Sequence, residues 1–220
     1  MEKIVLFGDG SVAQNHCHLL SHDGGYEVVA FSVDRAFLQQ DSLMGRPVVP
    51  WDEVQDHYPP DAYKMHIAVG YAQVNRLRSA RFSEAKAKGY RLISYINSKA
   101  ITWEGLQIGE NCWIGAGSLI GPFVRLGDNV SLAAGVNLGH HTVIQDHCFL
   151  ASGVVISGNV TVEAYCILGA NVTVRDRVTL ARETVVGAGG TILEDTIEKG
   201  VYLSPPAEKL PIESDQLKLS

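Results

Sequence analysis

The chain is poor in cysteine, in charge and in long apolar runs. Of 220 residues only four are cysteine, Cys17, Cys112, Cys148 and Cys166, and no two form a CxxC pair. Metal and redox motifs need such close pairs, so these thiols are expected to be small buried hydrophobes in a reducing compartment. Charged residues make up 19% of the chain and leave a net charge of -6. No basic patch offsets that balance, which argues against a nucleic-acid partner. No apolar run approaches the roughly 20 residues that cross a bilayer, which argues against a membrane span. The N-terminal stretch Ile4-Val5-Leu6-Phe7 is too short for a secretory leader and runs straight into Gly8-Asp9-Gly10. A cytoplasmic location is therefore expected.

What is present is a repeat. From Ile108 an aliphatic residue recurs at every sixth position through Ile114, Ile120, Leu126, Leu132, Leu138, Ile144, Leu150, Ile156, Val162, Leu168, Val174, Leu180, Val186 and Ile192. Four residues after each stands a small or β-branched residue, and Cys112, Cys148 and Cys166 all fall in that phase. Glycine often follows the aliphatic directly, as at Gly115, Gly121 and Gly139. A period of six fits neither an α-helix nor simple strand alternation. It predicts a solenoid of short strands in which three hexapeptides close one coil and residues 18 apart stack. Stacked aliphatics fill the axis, and each coil protects the edge of the next. The outward apolar residues Trp113, Leu119, Phe149 and Val155 give this prism a surface to hide.

Residues 1–97 have another rhythm. The pattern predicts strands over Lys3 to Phe7, Tyr26 to Val33, Met65 to Val69 and Tyr90 to Ile96, with helices over Val12 to Leu20 and Gln73 to Lys88. Strand–helix alternation of this kind predicts a small α/β domain on a parallel sheet. Its first turn, Gly8-Asp9-Gly10-Ser11, opens a helix and suits a phosphate, although only two of the three glycines of a dinucleotide fingerprint are present. The expected organisation is thus a Rossmann-like α/β domain over 1–97, an all-β helix over 98–197 and a tail over 198–220.

The repeat resembles the hexapeptide-repeat acyltransferases, whose solenoid is a left-handed parallel β-helix. With the α/β domain in front, the whole chain is similar to the sugar acyltransferases that include sialic acid O-acetyltransferases and bacterial UDP-4-amino-sugar N-acetyltransferases. The resemblance implies a homotrimer, with acetyl-CoA as co-substrate in a groove between prisms. It also implies a nucleotide-linked amino sugar, UDP- or dTDP-linked, held by the α/β domain in a pathway of glycan biosynthesis. Matched by position, Gly8, Gly10 and Ser11 would face the diphosphate and Asp34 and Arg35 would lie near the base. Gly70, Asn75 and Arg76 would border the same cleft. Phe149, Gly158, Ala170 and Ala188 would follow the CoA arm, with Lys209 near its phosphates. The relatives' His-Pro-Ser step before the helix is absent, since this chain reads Ile96-Asn97-Ser98.

Acyl transfer from a thioester needs a base, an oxyanion donor and two aligned substrates. Histidine is the natural proton acceptor near neutral pH. Three of the eight histidines crowd one stretch, His140, His141 and His147. The repeat phase sets His140 and His141 at an outer corner, with Gly158 and Asn159 above them 18 residues on. In the resembling family the catalytic histidine matches His140, which makes it the expected general base. Relatives commonly carry an acidic residue next; here His141 stands there, and Asp146 is a candidate replacement. His147 reads as an exposed turn residue. A metal would need ligands from different corners, and this chemistry needs none. O-acetylation of a sugar hydroxyl and a non-catalytic binding role on the same solenoid remain as alternatives.

Overall fold

The computed structural model describes residues 1–209 and 211, so 210 and 212–220 of the expected tail lie outside the described residues. The chain opens with β1 (Glu2–Phe7), α1 (Ser11–His22), β2 (Tyr26–Val33), β3 (Ser42–Leu43), β4 (Arg46–Pro50), α2 (Val54–His57), β5 (Lys64–Ile67) and α3 (Arg76–Ala87). The strands form one sheet in the order β3-β4-β2-β1-β5. All neighbours run parallel except the β3–β4 pair at the edge. From Ile4 to Phe7 β1 is apolar at every position because both of its faces are covered. Ile4 and Leu6 pack with Ala13, Cys17 and Leu20 of α1, while Val5 and Phe7 pack with Phe82 and Ala85 of α3.

Two boundaries differ from the sequence-based expectation. The helix expected from Gln73 begins at Arg76, because Gln73, Val74 and Asn75 take left-handed φ values of 53°, 52° and 62°. The strand expected over Tyr90 to Ile96 is divided. Leu92 bridges to Met65 of the α/β sheet, whereas Tyr95–Ile96 (β6) pairs with Trp113–Ile114 of the solenoid. The chain therefore enters the solenoid before residue 97.

Fifteen two-residue strands follow, from β7 (Gln107–Ile108) to β21 (Thr191–Ile192), spaced six residues apart. They form three parallel sheets in which partners are 18 residues apart, as in Arg125↔Val143 and Val143↔Thr161. These sheets fit a left-handed β-helix. Successive faces carry Trp113, Leu119 and Arg125, and the order then repeats. Strands β6 and β22 (Val201–Tyr202) extend the Trp113 face at both ends. Every repeat aliphatic from Ile114 to Ile192 is buried, and together they form one continuous core.

The corners also keep the period. Asn111, Asn129, His147, Tyr165 and Glu183 share a left-handed conformation in one column, and Phe123, His141, Asn159 and Arg177 share it in a second. The third column uses mostly glycine, at Gly117, Gly135, Gly153 and Gly189. The inward small residues add a hydrogen bond across each coil. Cys112, Cys148 and Cys166 donate from Sγ to carbonyls 15 residues on, at 3.0, 3.1 and 3.2 Å. Ser118 and Thr142 do the same with hydroxyls. The four thiols are free and buried, and burial raises those of Cys17, Cys112 and Cys148 above the ordinary thiol range.

Of the outward apolar residues, Leu119 and Val155 are exposed. Trp113 is not: it is buried among Ile4, Leu6, Ala13 and Cys17 of the α/β part. No helix among the described residues is long and apolar enough to cross a membrane. If the stacked core holds the solenoid together, Leu150→Ala should cost about 2–5 kcal/mol in urea unfolding. Leu119→Ala, on the outer surface, should change stability by less than about 0.5 kcal/mol.

Candidate active site

The strand Asn137–Leu138 on the Leu119 face ends in Gly139, and the chain turns the corner through His140 and His141 onto the Arg125 face. His141 sits at φ 60°. Its N–H donates to the Pro122 carbonyl one coil below at 3.1 Å, and the His140 carbonyl accepts from Asn159 one coil above at 2.9 Å. Thr142 returns inward and is fully buried. Both imidazoles are exposed. The His140 ring lies over Gly158, where an added Cβ would fall 2.7 Å from its Cε1 and Nε2 atoms. Only glycine leaves that ring in place, and among the described residues the Gly158 N–H has no acceptor. The two imidazoles meet through Nδ1, at 3.1 Å. Such a contact holds one proton between the nitrogens.

Asp146 does not complete this corner within the chain. It occupies the following corner, and its Oδ1 accepts from the Asp128 N–H at 2.8 Å. Asp128 repeats the bond to Glu110 one coil lower. His147 is half-buried rather than an exposed turn residue. Its ring packs edge-on to Phe82 and beside Tyr165, with Nδ1 3.0 Å from Asn129 Nδ2.

The column of Asn111, Asn129, His147, Tyr165 and Glu183 is where the α/β part docks. Arg78 of α3 is buried and donates to the carbonyls of Asn129, His147 and Cys148 and to Asn75 Oδ1. Burial lowers it to about 10, still charged at neutral pH. Asn75 is fully buried and donates to the Tyr165 and Cys166 carbonyls, so it serves the seam and not a nucleotide cleft. Arg76 pairs with Glu183 at 2.9 Å and lies over the Tyr165 ring. Ser79 Oγ meets the Tyr165 hydroxyl at 2.9 Å.

On the other flank of the seam His16 stacks on Trp113, ring centroids 3.4 Å apart, and its Nδ1 meets His66 Nε2 at 3.1 Å. The Ile93 carbonyl lies 3.2 Å from His66 Nδ1 and can only accept, which fixes that proton on His66 Nδ1 and leaves Nε2 to accept from His16. Arg78, His16, His66 and the covered Trp113 were not found from the sequence. His66 is a single histidine in an apolar strand, His16 is one of three in α1, and no local motif marks either.

The expected nucleotide-site residues are dispersed. Gly8 takes φ 113°, where an added Cβ would fall 2.8 Å from the Ala68 carbonyl oxygen. Gly10 precedes α1, and both Gly10 and Gly70 face open space. Ser11 is exposed at the first turn. A cavity of about 360 Å³ opens between Val12, Asn15 and Gly70 on one side and Trp113, Ser131 and Phe149 on the other. Asp34 is already bound to Arg81 at 2.8 Å, and Arg35 to Asp52 at 2.7 Å and to Glu53. Phe149 packs on Tyr71 in this cavity and is remote in coil position from His140. Ala170 and Ala188 stack at the corner between the Trp113 and Leu119 faces, one corner away from Gly158. Lys209 is exposed beyond the last coil. Among the described residues no group of three or more His, Cys, Asp or Glu could hold a metal.

His140 thus stands at the prism edge opposite the face that carries the chain's own α/β part. The fold is the one found in solved structures of hexapeptide-repeat sugar acetyltransferases. Residues 93–201 match the family model described as the GMPPB C-terminal domain. Among solved structures, PerB from Caulobacter crescentus, in complex with CoA and GDP-perosamine, is 25% identical. The match covers 94% of this chain and 97% of PerB, with a TM-score of 0.83. The acetyltransferase domain of PglB from Neisseria gonorrhoeae FA1090 is 23% identical over 96% of this chain and 100% of that domain, with a TM-score of 0.85. WeeI from Acinetobacter baumannii AYE is 17% identical over 96% and 100%, with a TM-score of 0.82. No curated protein matches the sequence.

The buried histidine pair carries a pH dependence. Burial lowers His66 to about 4 and His16 well below the ordinary imidazole value of 6.5, with Arg78 adding to both shifts. Between pH 6.5 and about 4 the unfolded chain therefore binds protons that the folded chain refuses. Stability is full above that window and falls as the pH drops through it. At about 1.4 kcal/mol per unit, His66 alone accounts for about 3 kcal/mol. The urea midpoint should fall between pH 7.5 and 4.5, and His66→Gln should flatten the slope. An unchanged slope would locate the acid sensitivity elsewhere.

Proposed function

We propose that this protein is an acetyl-CoA-dependent N-acetyltransferase acting on a nucleotide-linked amino sugar, with His140 as general base. The observation that carries the reading is the His140 ring lying over Gly158 at an open corner, on a fold shared end to end with PerB in its complex with CoA and GDP-perosamine. That relative adds a GDP-linked sugar to the UDP- and dTDP-linked acceptors expected from the sequence.

The amine nitrogen of the sugar attacks the thioester carbonyl carbon. His140 Nε2 takes the amine proton, the Gly158 N–H donates to the oxygen that gains charge, and the C–S bond breaks to release coenzyme A. For Nε2 to accept, the proton shared in this contact must sit on His140 Nδ1 and be donated to His141 Nδ1. His141 then holds the ring and its tautomer, the task an acidic residue performs in relatives. Asp146, bonded to Asp128 in its own chain, is not needed for that task. No cysteine enters the reaction as a nucleophile, since all four thiols are buried.

The α/β part is read as the Rossmann-like acceptor domain, with the Gly8–Ser11 turn and Gly70 at the mouth of the interdomain cavity. Because His140 lies opposite the chain's own α/β part, the acceptor is delivered by a neighbouring copy. A homotrimer with grooves between prisms meets that requirement. It also lets Gly158 of one copy and Ala170 and Ala188 of the next line one CoA arm. The setting is cytoplasmic glycan biosynthesis, where nucleotide sugars are made. An alkoxide-forming hydroxyl acceptor would need a stronger base than an imidazole backed by a neutral partner, which favours the amine.

The test is thiol release from acetyl-CoA with GDP-perosamine and with UDP- and dTDP-linked amino sugars. One acceptor should give rapid release, and His140→Ala should lower kcat about 10²- to 10⁴-fold. His141→Phe should lower kcat about 10- to 100-fold with both KM values little changed, and His141→Glu should recover most of that loss. Gly158→Ala, which drives a methyl into the His140 ring, should also act on kcat. Full activity in His140→Ala would sink the mechanism.

A further inference from the structure

The His140 corner has two sides along the solenoid. The coil above carries Gly158; the coil below carries Gly121, Pro122 and Phe123, and these border a second cavity, of about 370 Å³, closed on its other flank by Trp103 and Glu104. The lining of this cavity adjoins the His140–His141 corner. An added Cβ at Gly121 would lie 3.0 Å from His140 N, the Pro122 carbonyl accepts from His141 N, and the Phe123 ring lies 4.6 Å from the His141 ring.

We infer that Phe123 and Trp103 form the platform on which the ring of the acceptor amino sugar rests, an inference that builds on the acetyltransferase reading above. Phe123 takes the left-handed φ of 65° that its corner imposes, a conformation that is costly for a bulky side chain. The same column is filled elsewhere by His141, Asn159 and Arg177. The other aromatic in such a corner, Tyr165, is covered by Ser79 and Arg76. Phe123 lies beside the His141 ring and is 72% exposed. Trp103 is 60% exposed, whereas Trp51 and Trp113 are buried. A sugar ring offers C–H groups to such aromatic faces, while Glu104 and Arg125 at the cavity wall can meet its hydroxyls. Donor above, acceptor below and base between is the arrangement a direct transfer requires.

Acrylamide quenching of tryptophan fluorescence in the full chain reports mainly on Trp103, since the other two tryptophans are buried. The nucleotide amino sugar that turns over should lower the quenching constant about two-fold or more, and should still do so in His140→Ala, which binds but does not transfer. Phe123→Asn and Trp103→Leu should each raise the acceptor KM about ten-fold and leave the acetyl-CoA KM unchanged. Both side chains are exposed, and asparagine already occupies this corner at Asn159, so both variants should fold. If wild type turns over and both variants keep its acceptor KM, the platform is wrong and the acetyltransferase reading stands. Protection by a sugar without turnover supports the platform and sinks the acetyl transfer. No protection and no turnover with GDP-perosamine or the UDP- and dTDP-linked sugars overturns both. Protection of Trp103 that grows with protein concentration in the absence of sugar marks a subunit contact and overturns the platform.

Discussion

Each coil of the solenoid hydrogen-bonds to the next with an offset of 18 residues, and this register decides which side chains can meet. Leu119 N donates to the Val136 carbonyl, and Asn137 N to that of Val154, without a slip along the stack. A side chain therefore belongs to a column before it belongs to any site. His141 shares its column with Phe123, Asn159 and Arg177; His147 shares another with Asn129 and Tyr165. One residue more in any corner would turn the following inward side chains outward and break the core. The site inherits its precision from this constraint, since the His140 ring is positioned over Gly158 by backbone ladders rather than by a flexible loop.

The second constraint is the seam. A buried guanidinium with no carboxylate partner is an expensive way to join two bodies unless its hydrogen bonds are filled. Arg78 donates to Asn75 beside it and to the carbonyls of Asn129, His147 and Cys148, which the solenoid register fixes. Only Nε stays without a partner. The directional cost of misaligning so many acceptors makes the docking of α3 specific. The stack of His16 on Trp113 fixes α1 at the other flank. Between these two anchors lies the cavity open to Gly70 and Val12. The cleft is thus bounded at both ends by contacts between the α/β part and the solenoid.

The solenoid's repeating core was legible because its signal is periodic: fifteen aliphatics in one phase leave no freedom about which residues face inward. The His140–Gly158 pairing was legible for the same reason, since counting 18 forward is all it requires. The seam was not legible. Asn75 and Arg76 sit just after a strand and at the start of a helix, where a sequence pattern suggests ligand contacts, yet their partners, Tyr165, Cys166 and Glu183, lie some 90 or more residues away. Trp113 looked outward because the repeat phase says so, and it does point outward; what covers it is another part of the chain. Long-range docking of a second body leaves no periodic trace. The segment Tyr90 to Ile96 misled by the same route, since an apolar run has the same appearance whether it completes an α/β sheet or begins a solenoid.

The replacement of an acidic residue by His141 bears on which chemistry the corner can support. A carboxylate behind the base stabilises the imidazolium that forms on proton uptake, through a charge-assisted hydrogen bond about twice as strong as a neutral one. A neutral imidazole still fixes ring and tautomer but contributes less to holding the positive charge. A base so equipped is matched to a nucleophile that attacks with its own lone pair and sheds its proton late, as an amine does, more than to one that must be deprotonated to react. On the proposed reading little is asked of the base, because an amine acceptor is already nucleophilic. The larger part of the barrier is then lowered by alignment, with the acceptor held on one coil and the thioester on the next, across the ring that lies over Gly158.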